Sequence, residues 1–239
     1  MLKKIVIFLI LITWPISLFV NNTFKDFLSY VFPLFNPKFA ILPLLFVLIY
    51  FKFKKPVLII FSIIILLIFV KPFYGQTIFI TNNDAKEVLI QKGNLYNSVF
   101  LARLFQNKAR IPIDKASNNF FALTDPNNYF FGFAPGQIKV DNQNLLKFPF
   151  LSLSFILIGL YSINKLKNKK LILSFLLAGI INLTILTNFD RNDFILWIPL
   201  SLIIIYGLNV FNDRFKYAKY YELIFVAFGF IEILKIFTK

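Results

Sequence analysis

Seven apolar stretches, separated by polar segments, constrain the fold of this chain more than any other feature of its sequence. A helix that spans a bilayer needs about 20 predominantly apolar residues, within a range of about 17 to 25. The sequence therefore predicts an all-α polytopic membrane protein with about seven transmembrane helices. The predicted spans are Ile5–Val20, Phe39–Phe51, Pro56–Val70, Phe148–Ile163, Leu171–Phe189, Phe194–Phe211 and Tyr221–Phe237.

Three of these spans leave a choice of arrangement. The second and third are short, so they either cross fully with their flanking lysines snorkelling to the interface, or form a re-entrant hairpin. The first resembles a signal peptide, because Lys3 and Lys4 precede its apolar run, but "SLFVNN" offers no small-x-small cleavage site. We therefore expect the first span to be a retained anchor.

The basic residues predict how the chain is oriented. Twelve of the 26 Lys and Arg residues lie in the opening segment and in three short loops, "KFKK", "NKLKNKK" and "DRFKYAK", which alternate with the other connections if there are seven spans. By the positive-inside rule these segments face the cytoplasm. We expect a multi-pass protein of the plasma (inner) membrane, with its N-terminus cytoplasmic and its C-terminus and residues 71–147 extracytoplasmic.

The same pattern predicts three regions. Residues 1–70 would hold spans one to three, with a helix at 23–35 lying in the outer interface, because its apolar residues follow helical spacing. Residues 71–147 would form a small, mainly helical extracytoplasmic insert between spans three and four. Residues 148–239 would hold spans four to seven.

Composition excludes several kinds of chemistry. The chain has no cysteine and no histidine, which rules out disulfides, thiol nucleophiles, Cys- or His-ligated zinc and a Ser-His-Asp triad. The net charge of +15 would suggest nucleic acid in a soluble protein. Here the basic residues flank apolar spans, so we expect contact with the lipid bilayer and with anionic lipid rather than with nucleic acid.

The segment "TDPNNYFFGFAPGQ" lies within the insert and is rich in aromatic residues. Asp125 followed by Pro126 is typical of a helix N-cap and first helical position. The aromatic side chains that follow would form either the core of the insert or an anchor at the headgroup level. As a third alternative the segment is a recognition loop, and the candidate residues for binding a partner are then Asp125, Tyr129, Phe130, Phe131 and Phe133.

Charged residues on the predicted outer face are the candidates for catalysis. Asp190, Arg191 and Asp193 lie in the connection between spans five and six, and Asp26 lies in the first outer loop. If they converge, carboxylates beside an arginine could bind a divalent metal and a lipid-linked diphosphate. The alternative is a solvated turn with a local ion pair.

These residues loosely resemble those of membrane glycosyltransferases that use polyprenyl-phosphate sugars. Such enzymes carry an acidic residue in their first outer loop, a position that Asp26 matches here, and "FDRNDFILWIPLSLIIIYGL" is similar to their later spans. The resemblance implies an enzyme acting on a lipid-linked substrate at the outer face. The chain is far shorter than most of that family and its first outer loop is very small.

Our leading hypothesis is a non-catalytic envelope or complex subunit whose extracytoplasmic insert binds a protein partner. The alternatives are a small glycosyltransferase-like enzyme of the outer face and a subunit of a transporter, so the sequence leaves enzymatic activity undecided. No cofactor is identified, and a divalent metal is expected only if the chain is an enzyme. The spans carry few ionisable residues in their interiors, which argues against an ion-coupled transporter.

Overall fold

The computed structural model describes residues 1–21, 41–51, 77–79, 87, 90–101, 109–131, 146–187 and 192–238. The predicted interfacial helix at 23–35 and the predicted third span, Pro56–Val70, lie outside these residues. Within the described ranges the secondary structure is helical, apart from turns and an isolated antiparallel bridge between Thr77 and Leu186. The all-α prediction therefore agrees with the part of the chain that the structure describes.

Most of the following helices overlap predicted apolar spans, and two lie within residues 71–147. The helices are α1 (Leu2–Asn21), α2 (Ile41–Phe51), α3 (Arg110–Thr124), α4 (Asn127–Phe130), α5 (Ser152–Tyr161), α6 (Lys169–Ile185), α7 (Trp197–Arg214) and α8 (Ala218–Phe237). Two 3-10 helices, Ile163–Lys165 and Asp193–Leu196, follow α5 and precede α7.

Two helical segments of the described chain are long and apolar enough to cross a membrane. These are Leu2–Val20, which is most of α1, and Asp193–Arg214, which joins a 3-10 helix to α7. The prediction of seven spans goes further than these two. α5 has ten residues, which at a rise of 1.5 Å each is about 15 Å, whereas the predicted fourth span was Phe148–Ile163. α5 begins only at Ser152, and before it Lys147 and Phe148 bond to residues of other segments.

Side-chain contacts fix the relative directions of the helices. The indole N–H of Trp197 donates to the Leu11 carbonyl over 3.2 Å, and the rings of Trp14 and Phe194 lie 5.7 Å apart, so α1 and α7 are antiparallel. The backbone N–H of Phe150 donates to Glu232 over 3.2 Å, which sets the beginning of α5 against the last third of α8.

α5 and α7 run in the same direction. Lys147, just before α5, is paired with Asp193, just before α7, and the Tyr206 hydroxyl donates to the Ser162 carbonyl over 3.1 Å near the other end. α2 and α6 are antiparallel, because the Lys170 ammonium lies 4.9 Å from the Tyr50 ring and Phe46 contacts Phe175. The basic loops after α5 and after α7 therefore lie at one end of the bundle. The opposite end holds Trp14, Lys147 and Asp193.

Two glycines allow α5 and α7 to touch backbone to backbone. A Cβ atom on Gly207 would overlap the carbonyl oxygen of Phe155 and lie 2.8 Å from the Gly159 nitrogen. A Cβ atom on Gly159 would overlap the carbonyl oxygen of Ile203. Small residues at such crossings let helices gain dispersion contacts that larger side chains would prevent.

We expect Gly207→Ala to push α5 and α7 apart and to destabilise the bundle by about 1–3 kcal/mol, the usual cost of overpacking a core. Thermal unfolding of the purified protein in detergent measures the change. Gly93→Ala is the matched control, because a Cβ at Gly93 meets nothing within 4 Å. Equal melting temperatures for the Gly207 variant and the wild type would contradict this close crossing.

Candidate functional site

Five buried side chains from four separate segments meet at the end of the bundle opposite the basic loops. We call them the Lys147 cluster, and they are Trp14 of α1, Asn128 and Tyr129 of α4, Lys147 before α5 and Asp193 before α7. All are at most 6% exposed. A cluster of charged and polar groups with so little access to water needs internal partners for each charge.

The Lys147 ammonium has two oxygen partners. It donates to the Asp193 carboxylate and, over 2.7 Å, to the side-chain carbonyl of Asn128. The side chains of Lys147 and Asp193 are only 6% and 4% exposed. Desolvating two ions is costly, and a buried pair of this kind is tolerated only where the geometry is good and further hydrogen bonds complete it. Asn128 supplies one of those bonds.

Two aromatic rings complete the surroundings of the ammonium. Its nitrogen lies 5.3 Å from the centre of the Trp14 ring and 5.2 Å from that of Tyr129. The negative face of an aromatic ring attracts a cation within about 6 Å, and the attraction grows where water is excluded. Carboxylate, amide oxygen and ring faces together replace the water that Lys147 loses.

The sequence of the 125–130 segment explains how Asn128 and Tyr129 reach the lysine. The Asn127 N–H donates to the Asp125 carboxylate over 2.9 Å, which starts α4 at the predicted Asp-Pro cap. The Tyr129 hydroxyl donates to the Leu123 carbonyl over 2.7 Å, so α4 folds back on the end of α3. The Phe148 N–H donates to the Tyr129 carbonyl over 3.0 Å, which brings Lys147 alongside.

Aromatic packing keeps water out of the cluster. The Trp14 ring makes edge contacts with Phe148 at 5.4 Å, Phe194 at 5.7 Å and Tyr129 at 6.0 Å. Burial raises the pKa of the Tyr129 phenol well above its usual value, and the negative charge of Asp193 raises that pKa further. Tyr129 is therefore a neutral hydrogen-bond donor at physiological pH.

A second contact region joins the insert to the bundle at the C-terminus of α6. The last carbonyls of a helix have no partner within the helix. The Asn119 side-chain amide of α3 donates to the carbonyls of Thr184, in the last turn of α6, over 3.0 Å and of Leu186, just after α6, over 2.9 Å. The Ile78 N–H donates to the Ile185 carbonyl over 3.0 Å. Residues of the insert thus cap α6, and these bonds hold α3 against the end of α6.

The structure describes one of the four predicted catalytic residues, Asp193. Asp193 is buried and paired with Lys147, so its carboxylate faces the protein interior rather than an outward cavity. Asp26, Asp190 and Arg191 lie outside the described residues. Among the described residues there is no group of three or more acidic side chains that could hold a metal ion.

The predicted partner-binding residues are also divided. Tyr129 and Phe130 are 6% and 3% exposed, so they belong to the core and offer no surface to a partner. Asp125 caps α4, and Phe131 is 43% exposed and packs against the Phe150 ring at 5.0 Å. Phe133 lies outside the described residues.

The sequence analysis did not single out four residues that make these contacts, Lys147, Trp14, Asn119 and Asn128. Lys147 carries one usable signal, because it is an isolated lysine in "NLLKFPF", with apolar residues on both sides, whereas most other lysines near spans occur in groups. A single charge in an apolar setting calls for a buried partner. Nothing in the sequence names Asp193 as that partner.

Removal of one member of the ion pair should be far worse than removal of both. Lys147→Met leaves the Asp193 carboxylate buried without its cation, and we expect a loss of roughly 3–5 kcal/mol. The double variant Lys147→Met with Asp193→Leu should recover much of this loss. Arg110→Gln is the control, because it breaks an exposed pair with Asp114 that is worth about 1 kcal/mol or less. Unfolding in detergent measures all three, and additive effects of the two single substitutions would contradict a coupled pair.

Alkaline pH should reveal the buried Tyr129 phenol. Because its pKa is raised in the native state, the unfolded chain loses the proton first, above about pH 10, and stability falls as pH rises further. Tyr129→Phe should cost about 1–2 kcal/mol at pH 8, through loss of the hydrogen bond to Leu123, and the gap from the wild type should narrow above pH 10. Paired unfolding curves at pH 8 and pH 11 test this, and a gap that widens with pH would refute it.

Comparisons of the chain with protein-family models, curated proteins and solved structures found no match.

Proposed function

We propose that this chain is a multi-pass membrane protein that serves as a non-catalytic subunit of an envelope complex, and that its extracytoplasmic insert binds a partner protein. The helix directions support the multi-pass arrangement. Basic loops at one end of the bundle and the insert at the other end fit a chain with its N-terminus in the cytoplasm and residues 71–147 outside.

One observation carries the partner-binding role. Ile113, Phe120 and Phe121 share one face of α3 and are 60%, 45% and 68% exposed. Contiguous exposed apolar side chains on a water-facing segment are typical of interaction sites. We call these three residues the α3 face.

The attachment of α3 supports this role. Asn119 lies on the opposite side of α3 from these three residues, together with the buried Ala122 and Leu123, and bonds to two carbonyls at the end of α6. The α3 face is therefore presented by a helix that is already ordered. Preorganised surfaces bind with a smaller entropy cost than surfaces that must be ordered on binding.

The surroundings of Asp193 favour a subunit over an enzyme. A metal ligand or a catalytic carboxylate has to reach the substrate, whereas Asp193 is buried and bonded to Lys147. The glycosyltransferase-like alternative then depends on Asp26, Asp190 and Arg191 without Asp193. The Lys147 cluster is best explained as the set of contacts that attaches the insert to the bundle.

Photo-cross-linking in native membranes tests the proposed function. A photoreactive amino acid at position 121 should cross-link to one protein species, because this side chain points away from the chain's own core. The same probe at Tyr217, which is also 68% exposed but lies at the other end of the bundle, is the matched control.

The binding energy can be tested on the same surface. Phe121→Ala removes an exposed ring, so we expect stability to change by about 0.5 kcal/mol or less while recovery of the cross-linked partner through position 113 drops several-fold. Cross-linking of position 121 to lipid alone, or equal recovery of the same protein from positions 121 and 217, would contradict the proposal.

A further inference from the structure

A strongly basic surface lies at the end of the bundle away from the insert. It is formed by the loop between α5 and α6 and by the loop between α7 and α8. Residues 162–170 and 213–220 contain seven basic residues and one acidic residue, Asp213. Six of the basic side chains are exposed, and we call them the basic surface: Lys165, Lys167, Lys170, Arg214, Lys216 and Lys219.

The fold, and not only the sequence, brings these two loops to the same side. α5 and α7 are parallel and cross closely at Gly159 and Gly207, so the C-termini of both helices lie at this end of the bundle. The hydrogen bond from Tyr206 to the Ser162 carbonyl holds the start of the first loop against α7. Like charges concentrated in this way repel one another unless anions lie nearby.

In the part of the chain that the structure describes, the acidic groups near the basic surface do not neutralise it. Glu222, at the start of α8, is buried and accepts a hydrogen bond of 2.6 Å from Asn212, so its carboxylate is directed inward. Asp213 is exposed, but a single carboxylate cannot balance seven cations. The surface therefore keeps a large positive charge that a partner can use.

Exposed tyrosines lie beside the basic residues. Tyr161, Tyr217 and Tyr220 are 83%, 68% and 71% exposed, and the last two rings are 6.2 Å apart. A tyrosine ring is apolar with a polar tip, which suits the depth of lipid headgroups. An array of lysines mixed with exposed tyrosines matches a membrane interface, because phosphate groups and acyl chains lie next to each other there.

We infer that the basic surface binds anionic phospholipid headgroups of the cytoplasmic leaflet in preference to zwitterionic ones. The inference depends on the membrane placement in the proposed function and is independent of the partner at the α3 face. The headgroup phosphates lie between lysines of the two loops while the tyrosine rings pack at the start of the acyl region. Each basic residue near an anionic surface strengthens this attraction about fivefold.

Lipid retention by the purified full-length protein tests the inference. The protein is equilibrated in mild detergent with equal amounts of phosphatidylglycerol and phosphatidylcholine, and bound lipid is counted by native mass spectrometry. The wild type should retain phosphatidylglycerol at least tenfold more than phosphatidylcholine. Lys165→Gln with Lys167→Gln, and separately Lys216→Gln with Lys219→Gln, should each reduce this preference by about tenfold or more.

The matched control removes the same charge from the insert. Lys92→Gln with Lys115→Gln should leave the preference within twofold of the wild type, and 0.5 M salt should weaken the preference of the wild type. Equal retention of the two lipids, or an equal loss in the control variant, overturns the inference.

A separate measurement distinguishes failure of the proposed membrane placement from failure of the lipid preference alone. Extraction of the chain from native membranes by alkaline carbonate would refute its membrane placement, and with it the inference. Resistance to carbonate together with equal lipid retention would refute only the lipid preference.

Discussion

The buried pair of Lys147 and Asp193 is the interaction on which the end of the bundle opposite the basic loops depends. Its cost is the desolvation of two ions, and the chain offsets that cost with the Asn128 amide and the rings of Trp14 and Tyr129. The ion pair and these three partners together come from α1, α4 and the segments before α5 and α7. The ammonium can therefore be satisfied only when four distant parts of the sequence are in place together. We expect such a pair to favour one arrangement of the chain, because a misplaced segment of residues 125–147 would leave a charge buried without a partner.

The two ends of the bundle use lysine in opposite ways. Lys147 is isolated in the sequence, loses its water and is surrounded by the protein's own acceptors. The lysines of the basic surface are grouped in the sequence and exposed, and the described residues around them supply too few carboxylates to neutralise their charge. Because both sites use lysine, the difference between them comes from burial and from whether the lysines are isolated or grouped in the sequence. A buried lysine specifies internal structure, whereas a group of exposed lysines provides a surface for an external anion.

The sequence predicted the parts of the fold that depend on local pattern. The apolar stretches Ile5–Val20, Leu171–Phe189 and Phe194–Phe211 correspond to α1, α6 and α7, and the Asp125 cap starts α4 as expected. Hydrophobic runs and caps can be read within a few residues, so no knowledge of the tertiary structure is needed. Burial of Tyr129 and Phe130 could be anticipated only as one of several alternatives, because an aromatic run looks the same in a core, at a headgroup layer and at a partner site. The Lys147–Asp193 pair spans 46 positions, and no local signal joins its members.

The attachment of α3 explains how the bundle and the α3 face are coupled. Asn119 bonds to carbonyls at the end of α6, and Gly179 of α6 packs against Leu196, three residues after Asp193. A shift of α6 relative to α7 would therefore change both the helix cap and the surroundings of the ion pair. The position of the α3 face therefore depends on how α6 packs on α7, and the partner proposed for this face would also stabilise that packing if it binds there.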